Sequence, residues 1–313
     1  MAEPKRYLLW IPTLLAIVLG TAFLAAYQPD IPLAELSRKY ANENSAFVDV
    51  AGMRVHYRDE GNGQIPLVLL HGTGASLHTW DAWTETLGHD FRVIRLDLPG
   101  FGLTGPAPSD DYTIQAYVQY LDEFAQALEL ETFHLAGNSL GGQIAWNYAS
   151  RHPDRVMRLI LLDPAGLPKD QATTTSTVLR LARVPVLNKL LTSMTPRSLV
   201  EQSLIEVYAD PRKVSPELVD RYFELSRRPG NRQAFVSRAL DYALDEDASL
   251  AGVSQPTLIL WGAEDRWIPV ADAQGFADGI KNTRLIIYPG VGHVPMEEHP
   301  GPTARAALSF LNN

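Results

Sequence analysis

Residues 133–149 place the tightest limit on how this 313-residue chain can fold. The apolar-rich run Phe133-His134-Leu135-Ala136 enters Gly137-Asn138-Ser139-Leu140-Gly141, and Gly142-Gln143-Ile144-Ala145-Trp146-Asn147-Tyr148-Ala149 follows with helical character. Strand, turn and helix in that order form an elbow with the serine at its tip. Side chains at 137 and 141 would collide where the helix folds back on the strand, so glycine is required there. A serine hydroxyl ionises far above neutral pH, so such an elbow does chemistry only with a base in reach. Without that base the pentapeptide is a glycine-rich turn carrying an idle serine, and context must decide.

Three further segments supply context. Arg284-Leu285-Ile286-Ile287-Tyr288 reads as a short strand ended by Pro289-Gly290-Val291-Gly292-His293, which sets a histidine on a strand-end loop. None of His56, His71, His78, His89, His134, His152 or His299 combines such a loop with a position downstream of the serine and an acid. His293 is therefore the candidate base. Thr257-Leu258-Ile259-Leu260-Trp261 reads as a buried strand followed by Gly262-Ala263-Glu264-Asp265. Asp265 is chosen over Glu264 as the acid that orients the imidazole, because it stands beyond the turn. Asp163, at the end of the run 159–162, is a rival acid whose plainer role is turn formation before Pro164. Upstream, Leu67-Val68-Leu69-Leu70 ends in His71-Gly72-Thr73-Gly74-Ala75. Attack on an acyl carbon creates an oxyanion that needs preorganised N–H donors. The backbone amides of Thr73 and Leu140 are the candidates, with His71 shaping the loop.

On these residues the chain resembles the α/β-hydrolase superfamily. The order Ser139, Asp265, His293 is similar to that family's nucleophile, acid and base order, and Asp97-Leu98-Pro99-Gly100-Phe101-Gly102 resembles its turn after the fourth strand. The resemblance implies a Ser-His-Asp triad with Thr73 and Leu140 as oxyanion donors. Fold alone does not select the reaction. A serine nucleophile argues against haloalkane dehalogenases and related epoxide hydrolases, which resemblance would arm with aspartate. Gly137 to Gly142 resembles the Gly-Asn-Ser-x-Gly-Gly of carbon-carbon hydrolases acting on ring-cleavage products, but Gly72-Thr73-Gly74-Ala75 and Val294 after His293 depart from their pattern. The leading expectation is a carboxylic ester hydrolase acting on short or medium acyl esters or monoacylglycerols. Carbon-carbon hydrolysis and ligand sensing on a hydrolase scaffold are the alternatives.

The expected fold class is α/β, a mostly parallel eight-stranded sheet with helices on both faces, plus an inserted helical cap. Strands are expected at 47–50, 53–58, 67–70, 92–96, 133–136, 156–162, 257–261 and 284–288, alternating with helices. Residues 46–167 and 249–313 form the core, and 168–248 form the cap, with helices over 177–191, 198–208, 216–226 and 233–244. Glu297 and Glu298 after His293 read as first-turn acids facing a helix dipole.

Residues 7–29 carry no charge, and the run 8–26 at about 1.5 Å per residue nearly matches the roughly 30 Å hydrocarbon core of a bilayer. Residues 1–30 are expected to be a transmembrane anchor or a signal peptide, joined to the core by a polar connector over 31–45. Lys5 and Arg6 ahead of this run favour a cytoplasmic N-terminus, with the catalytic domain across the membrane. Cleavage near Gly20-Thr21-Ala22 would instead release a secreted protein. The chain has no cysteine, which excludes disulfides, thiolate metal sites and a cysteine nucleophile. Its formal charge of −9, with no basic cluster, gives no support to nucleic-acid binding. No cofactor or metal is implied; the expected partners are an ester substrate, small or lipid-derived, and the membrane.

Overall fold

The computed structural model describes residues 14, 21, 26–167, 176–241 and 249–313. Eight strands form one sheet: β1 (Ser45–Val50), β2 (Met53–Glu60), β3 (Pro66–Leu70), β4 (Arg92–Leu96), β5 (Phe133–Asn138), β6 (Val156–Leu162), β7 (Thr257–Gly262) and β8 (Thr283–Tyr288). Their spatial order is β1-β2-β4-β3-β5-β6-β7-β8. The β1–β2 and β2–β4 pairs are antiparallel and every other pair is parallel. The eight expected strands are all present, β4 and β6 with the expected bounds and the other six longer by a residue or two.

The central strands read as continuous apolar runs because both faces are covered. Within β3, Val68 and Leu70 join one core with Tyr117, Leu121, Phe124, Ile144 and Phe276, while Leu67 and Leu69 join the other with Trp83, Ala304 and Leu311. Successive side chains point to opposite faces of a strand, so one short segment feeds two cores. The covering helices include Ile114–Ala127, whose buried residues recur at helical spacing and whose start is capped by Thr113 accepting from the Ala116 amide.

Between β6 and β7 the described residues form five helices: Thr177–Ala182, Leu187–Met194, Arg197–Val207, Pro216–Ser226 and Asn231–Leu240. The single helix expected over 177–191 is two. Pro185 lacks an N–H and its ring clashes with a preceding helical turn, and Val186 takes φ +76°. Residues 33–40, expected within a polar connector, form a helix instead, and its Leu36 and Tyr40 pack with Leu103 and Leu225. Most of the expected anchor, residues 1–30, lies outside the described residues, as does the 242–244 end of the last expected cap helix. Among the described residues no helix is long and apolar enough to cross a membrane.

Candidate active site

Neighbouring parallel strands deliver their carboxyl ends to one edge, and each delivers one piece of the site: the Thr73 loop from β3, Ser139 from β5, Asp163 from β6, Asp265 from β7 and His293 from β8. This edge is where ligands bind in open α/β sheets.

Ser139 sits at the tip of the expected elbow with φ +53° and ψ −114°, a backbone conformation far from any region that L-residues favour. Such a position costs about 1–3 kcal/mol and persists only where its surroundings enforce it. Enforcement comes from Ser139 N–H donating to Leu162 O (3.1 Å) and from Ser139 O accepting from Gln143 and Ala165 amides (2.9 and 3.1 Å). A Cβ at Gly137 would stand 2.2 Å from the Gly141 carbonyl oxygen, the collision expected from sequence. The Gly141 constraint has a different origin: its Cβ would meet Leu70 O of the neighbouring β3 at 2.2 Å.

His293 and Asp265 are brought together. His293 Nδ1 lies 2.6 Å from Asp265 Oδ2, with both side chains buried. Asp265 Oδ1 accepts from the Trp267 and Ile268 amides (2.7 and 3.0 Å), so the carboxylate is held at both oxygens. His293 Nε2 is buried without a hydrogen-bond partner among the described residues, and it stands in the cavity that Ser139 also lines. With its Nδ1 proton engaged by a carboxylate, the ring presents Nε2 as the free base.

Asp163, the rival acid, is in the same cluster but differently occupied. Its Oδ1 accepts from the Gly262 amide (2.9 Å), and it is fully buried. One ligand-type atom each from Asp163, Asp265 and His293 falls within 4.8 Å. Burial, and then the negative charge of Asp265, push the Asp163 carboxyl well above the usual carboxylate range. Its other oxygen has no hydrogen-bond partner among the described residues. The imidazole contact belongs to Asp265.

Thr73 and Leu140 line one recess together with Ser139 and His293. Leu140 is the first residue of the helix Leu140–Arg151, where the amide has no carbonyl a turn earlier to bond. The Thr73 loop approaches closely because residue 72 is glycine, whose Cβ would stand 2.9 Å from Asn138 Oδ1 and 3.2 Å from Ser139 Cβ. His71 is fully buried, with Nδ1 2.8 Å from Gly72 O and Nε2 accepting from the Leu98 amide (2.9 Å). Burial pushes its pKa down, so it is a neutral brace for the loop. Asp97 is likewise structural: it accepts from His56 Nδ1 and from the Leu77 and Leu103 amides. Burial works to raise its pKa, yet His56 holds it well below the usual range.

Three contributors were not singled out from sequence as part of the site. Asn138 Nδ2 donates to Leu162 O (3.1 Å) and His293 O (2.9 Å), tying the elbow to the base loop. Its place inside the pentapeptide was the available signal. Glu297 and Glu298 stand in the first turn of the short helix Pro295–Glu298, as expected, and their carboxylates also reach other segments. Glu298 accepts from the Ala209, Asp210 and Gly292 amides (3.1, 2.8 and 2.6 Å), and Glu297 accepts from the Tyr208 and Tyr222 hydroxyls (both 2.7 Å) and from Thr79. Burial, then the Glu297 charge, raise both phenols, so they remain donors. Together with His293 N–H donating to Val207 O (2.7 Å), these bonds join the base loop to the inserted helices. Glu298→Ala is expected to lower stability by about 2–4 kcal/mol, since it strands backbone donors that the carboxylate now satisfies. Urea unfolding followed by far-UV circular dichroism measures this; a change under about 0.5 kcal/mol would contradict it.

The cavity over Ser139 measures about 1080 Å³ with its open mouth included. Its walls are mainly apolar side chains of the inserted helices, among them Leu191, Leu199, Val200, Leu204 and Phe235.

Comparison with known proteins agrees with this fold. The chain is 30% identical over 274 residues to the 2-hydroxymuconate semialdehyde hydrolase of Pseudomonas sp. (strain CF600), covering 83% of this chain and 91% of that one. It is 30% identical over 260 residues to the human monoacylglycerol lipase ABHD6, covering 78% and 74%. A solved membrane phospholipase A, described as a bacterial virulence factor, superposes with a TM-score of 0.75 at 29% identity over 99% of this chain and 98% of that one. Residues 65–300 match the family described as alpha/beta hydrolase fold, and the chain belongs to that family.

Proposed function

We propose that this protein is a membrane-anchored serine hydrolase that cleaves carboxylic esters of lipid origin through an acyl-enzyme. One observation carries the reading: a strained serine and the unpartnered Nε2 of a carboxylate-held imidazole share one mainly apolar cavity. Ser139 Oγ attacks the ester carbonyl carbon as its proton passes to His293 Nε2, and the Thr73 and Leu140 amides hold the oxyanion. The bond to the alcohol then breaks, and the alcohol oxygen takes the proton from His293. Water repeats the sequence on the acyl-enzyme, releasing the acid and restoring Ser139.

The apolar cavity walls support an acyl chain as the bound group. The likeness to the membrane phospholipase A adds support, because it extends through the N-terminal part of the chain. A carbon-carbon hydrolase is the second reading, favoured by the ring-cleavage relatives and by Gly-Asn-Ser-Leu-Gly-Gly at the elbow. A p-nitrophenyl ester series assayed beside a 2-hydroxy-6-oxodienoate separates the two. The expected result is ester turnover that climbs from acetate to medium chains, with the dienoate slower by more than tenfold. A dienoate preferred tenfold over every ester would reverse the assignment.

In this reading residues 8–26 cross the membrane and the hydrolase domain lies on the non-cytoplasmic side. Retention in membranes after alkaline carbonate extraction, with the domain open to external protease, is the expected behaviour. A soluble product trimmed near residue 22 would mean a cleaved signal instead.

A further inference from the structure

One guanidinium stands in the mainly apolar wall above Ser139. Arg232 is the second residue of the helix Asn231–Leu240, and its side chain is 7% exposed. Nη2 donates to Asp30 Oδ1 at 2.6 Å, whereas Nε and Nη1 are buried without a partner among the described residues. The contrast with Arg95 is instructive. That side chain, 4% exposed, engages all three nitrogens on Glu60, Asp81 and the Leu77 carbonyl. A buried arginine that serves only the fold satisfies its donors in this way, because an unpartnered buried charge is expensive. Arg232 does not, and it lines the substrate cavity.

Its neighbour is in a similar condition. Asn231 spends Nδ2 on Gly102 O (3.0 Å) and Leu225 O (2.9 Å), while Oδ1 is buried and unpartnered in the same wall. A two-nitrogen donor set beside a lone acceptor matches an anionic oxygen group next to a hydroxyl. The flat guanidinium suits phosphate or carboxylate equally. The positive end of the helix, which has glycine at its N-cap and no side-chain cap, adds to the attraction.

We propose that Arg232, assisted by Asn231, binds an anionic oxygen group of the substrate, a phosphate or a carboxylate, while the ester lies at Ser139. This rests on the ester-hydrolase reading of the cavity and specifies its substrate class. Asp30 competes for the same guanidinium, so its carboxylate sets how readily the site takes an external anion.

The test uses the full chain in neutral detergent micelles and two matched substrate pairs. The first is monodecanoylglycerol with 1-decanoylglycerol 3-phosphate; the second is p-nitrophenyl octanoate with p-nitrophenyl hydrogen suberate. The quantity read is the ratio of kcat/KM on the charged member to that on the uncharged one. Arg232→Gln is expected to lower that ratio at least tenfold in one pair. A fall confined to the first assigns a lipid phosphate to the site, and a fall confined to the second assigns a carboxylate at the far end of the acyl group. Asp30→Asn, which leaves Arg232 in place, is expected to raise the ratio and provides the answer if Arg232→Gln fails to fold. Ratios unchanged in both pairs for the folded variants would overturn the proposal. No wild-type turnover of either uncharged ester would instead remove the ester-hydrolase reading on which it rests.

Discussion

Ser139→Gly is expected to yield a protein that melts higher than the wild type and hydrolyses nothing. The two effects have one source. At φ +53° and ψ −114° the serine occupies backbone space open to glycine and costly for any residue with a Cβ. Relief of about 1–3 kcal/mol is expected, equivalent to roughly 2–4 °C in Tm for each kcal/mol. Loss of the nucleophile should lower kcat on an activated ester by about 10⁴–10⁶-fold. Calorimetry and a p-nitrophenyl ester assay on the same preparation measure both. A kcat within tenfold of wild type would take Ser139 out of the reaction, and a lower Tm would mean that its hydroxyl stabilises the elbow more than its backbone strains it.

The second large effect separates the two buried acids. Asp265→Asn should lower kcat by about 10⁴-fold, because an amide cannot hold the imidazole in the same tautomer and stabilise its charged form. Asp163→Asn should leave kcat within tenfold, since the imidazole is held by Asp265 and Asp163 accepts from the Gly262 amide instead. Its effect on stability depends on pH. The folded pKa of Asp163 lies above its unfolded value, so the group costs nothing below the ordinary carboxylate range, where both states are protonated. As pH rises, the unfolded chain releases the proton and the folded chain retains it, which weakens the fold. Asp163→Asn should therefore melt higher than wild type at pH 7 and close to it near pH 3. Equal melting temperatures at both pH values would show that Asp163 carries charge in the fold. A collapse of kcat in Asp163→Asn, with Asp265→Asn active, would exchange their roles.

These acids mark the limit of what sequence conveys. Ser139, Asp265, His293, Thr73 and Leu140 were each legible because each ends a strand whose apolar run and following turn are local signals. The sheet was legible for the same reason: continuous apolar runs require two covered faces. Nothing local says that the ends of β6 and β7 bring Asp163 against Asp265, because that juxtaposition arises from strand order. Glu297 and Glu298 were legible only as first-turn acids, because most of their partners, on the segment 208–222, are 75 to 89 residues away. The break at Pro185 was local and readable, and amphipathic spacing on both sides obscured it.

The bond from His293 N–H to Val207 O has a dynamic consequence. The helix Arg197–Val207 that walls the acyl cavity also anchors the loop carrying the base. Displacing that helix would carry the base loop with it, so the width of the cavity and the position of the imidazole are mechanically coupled.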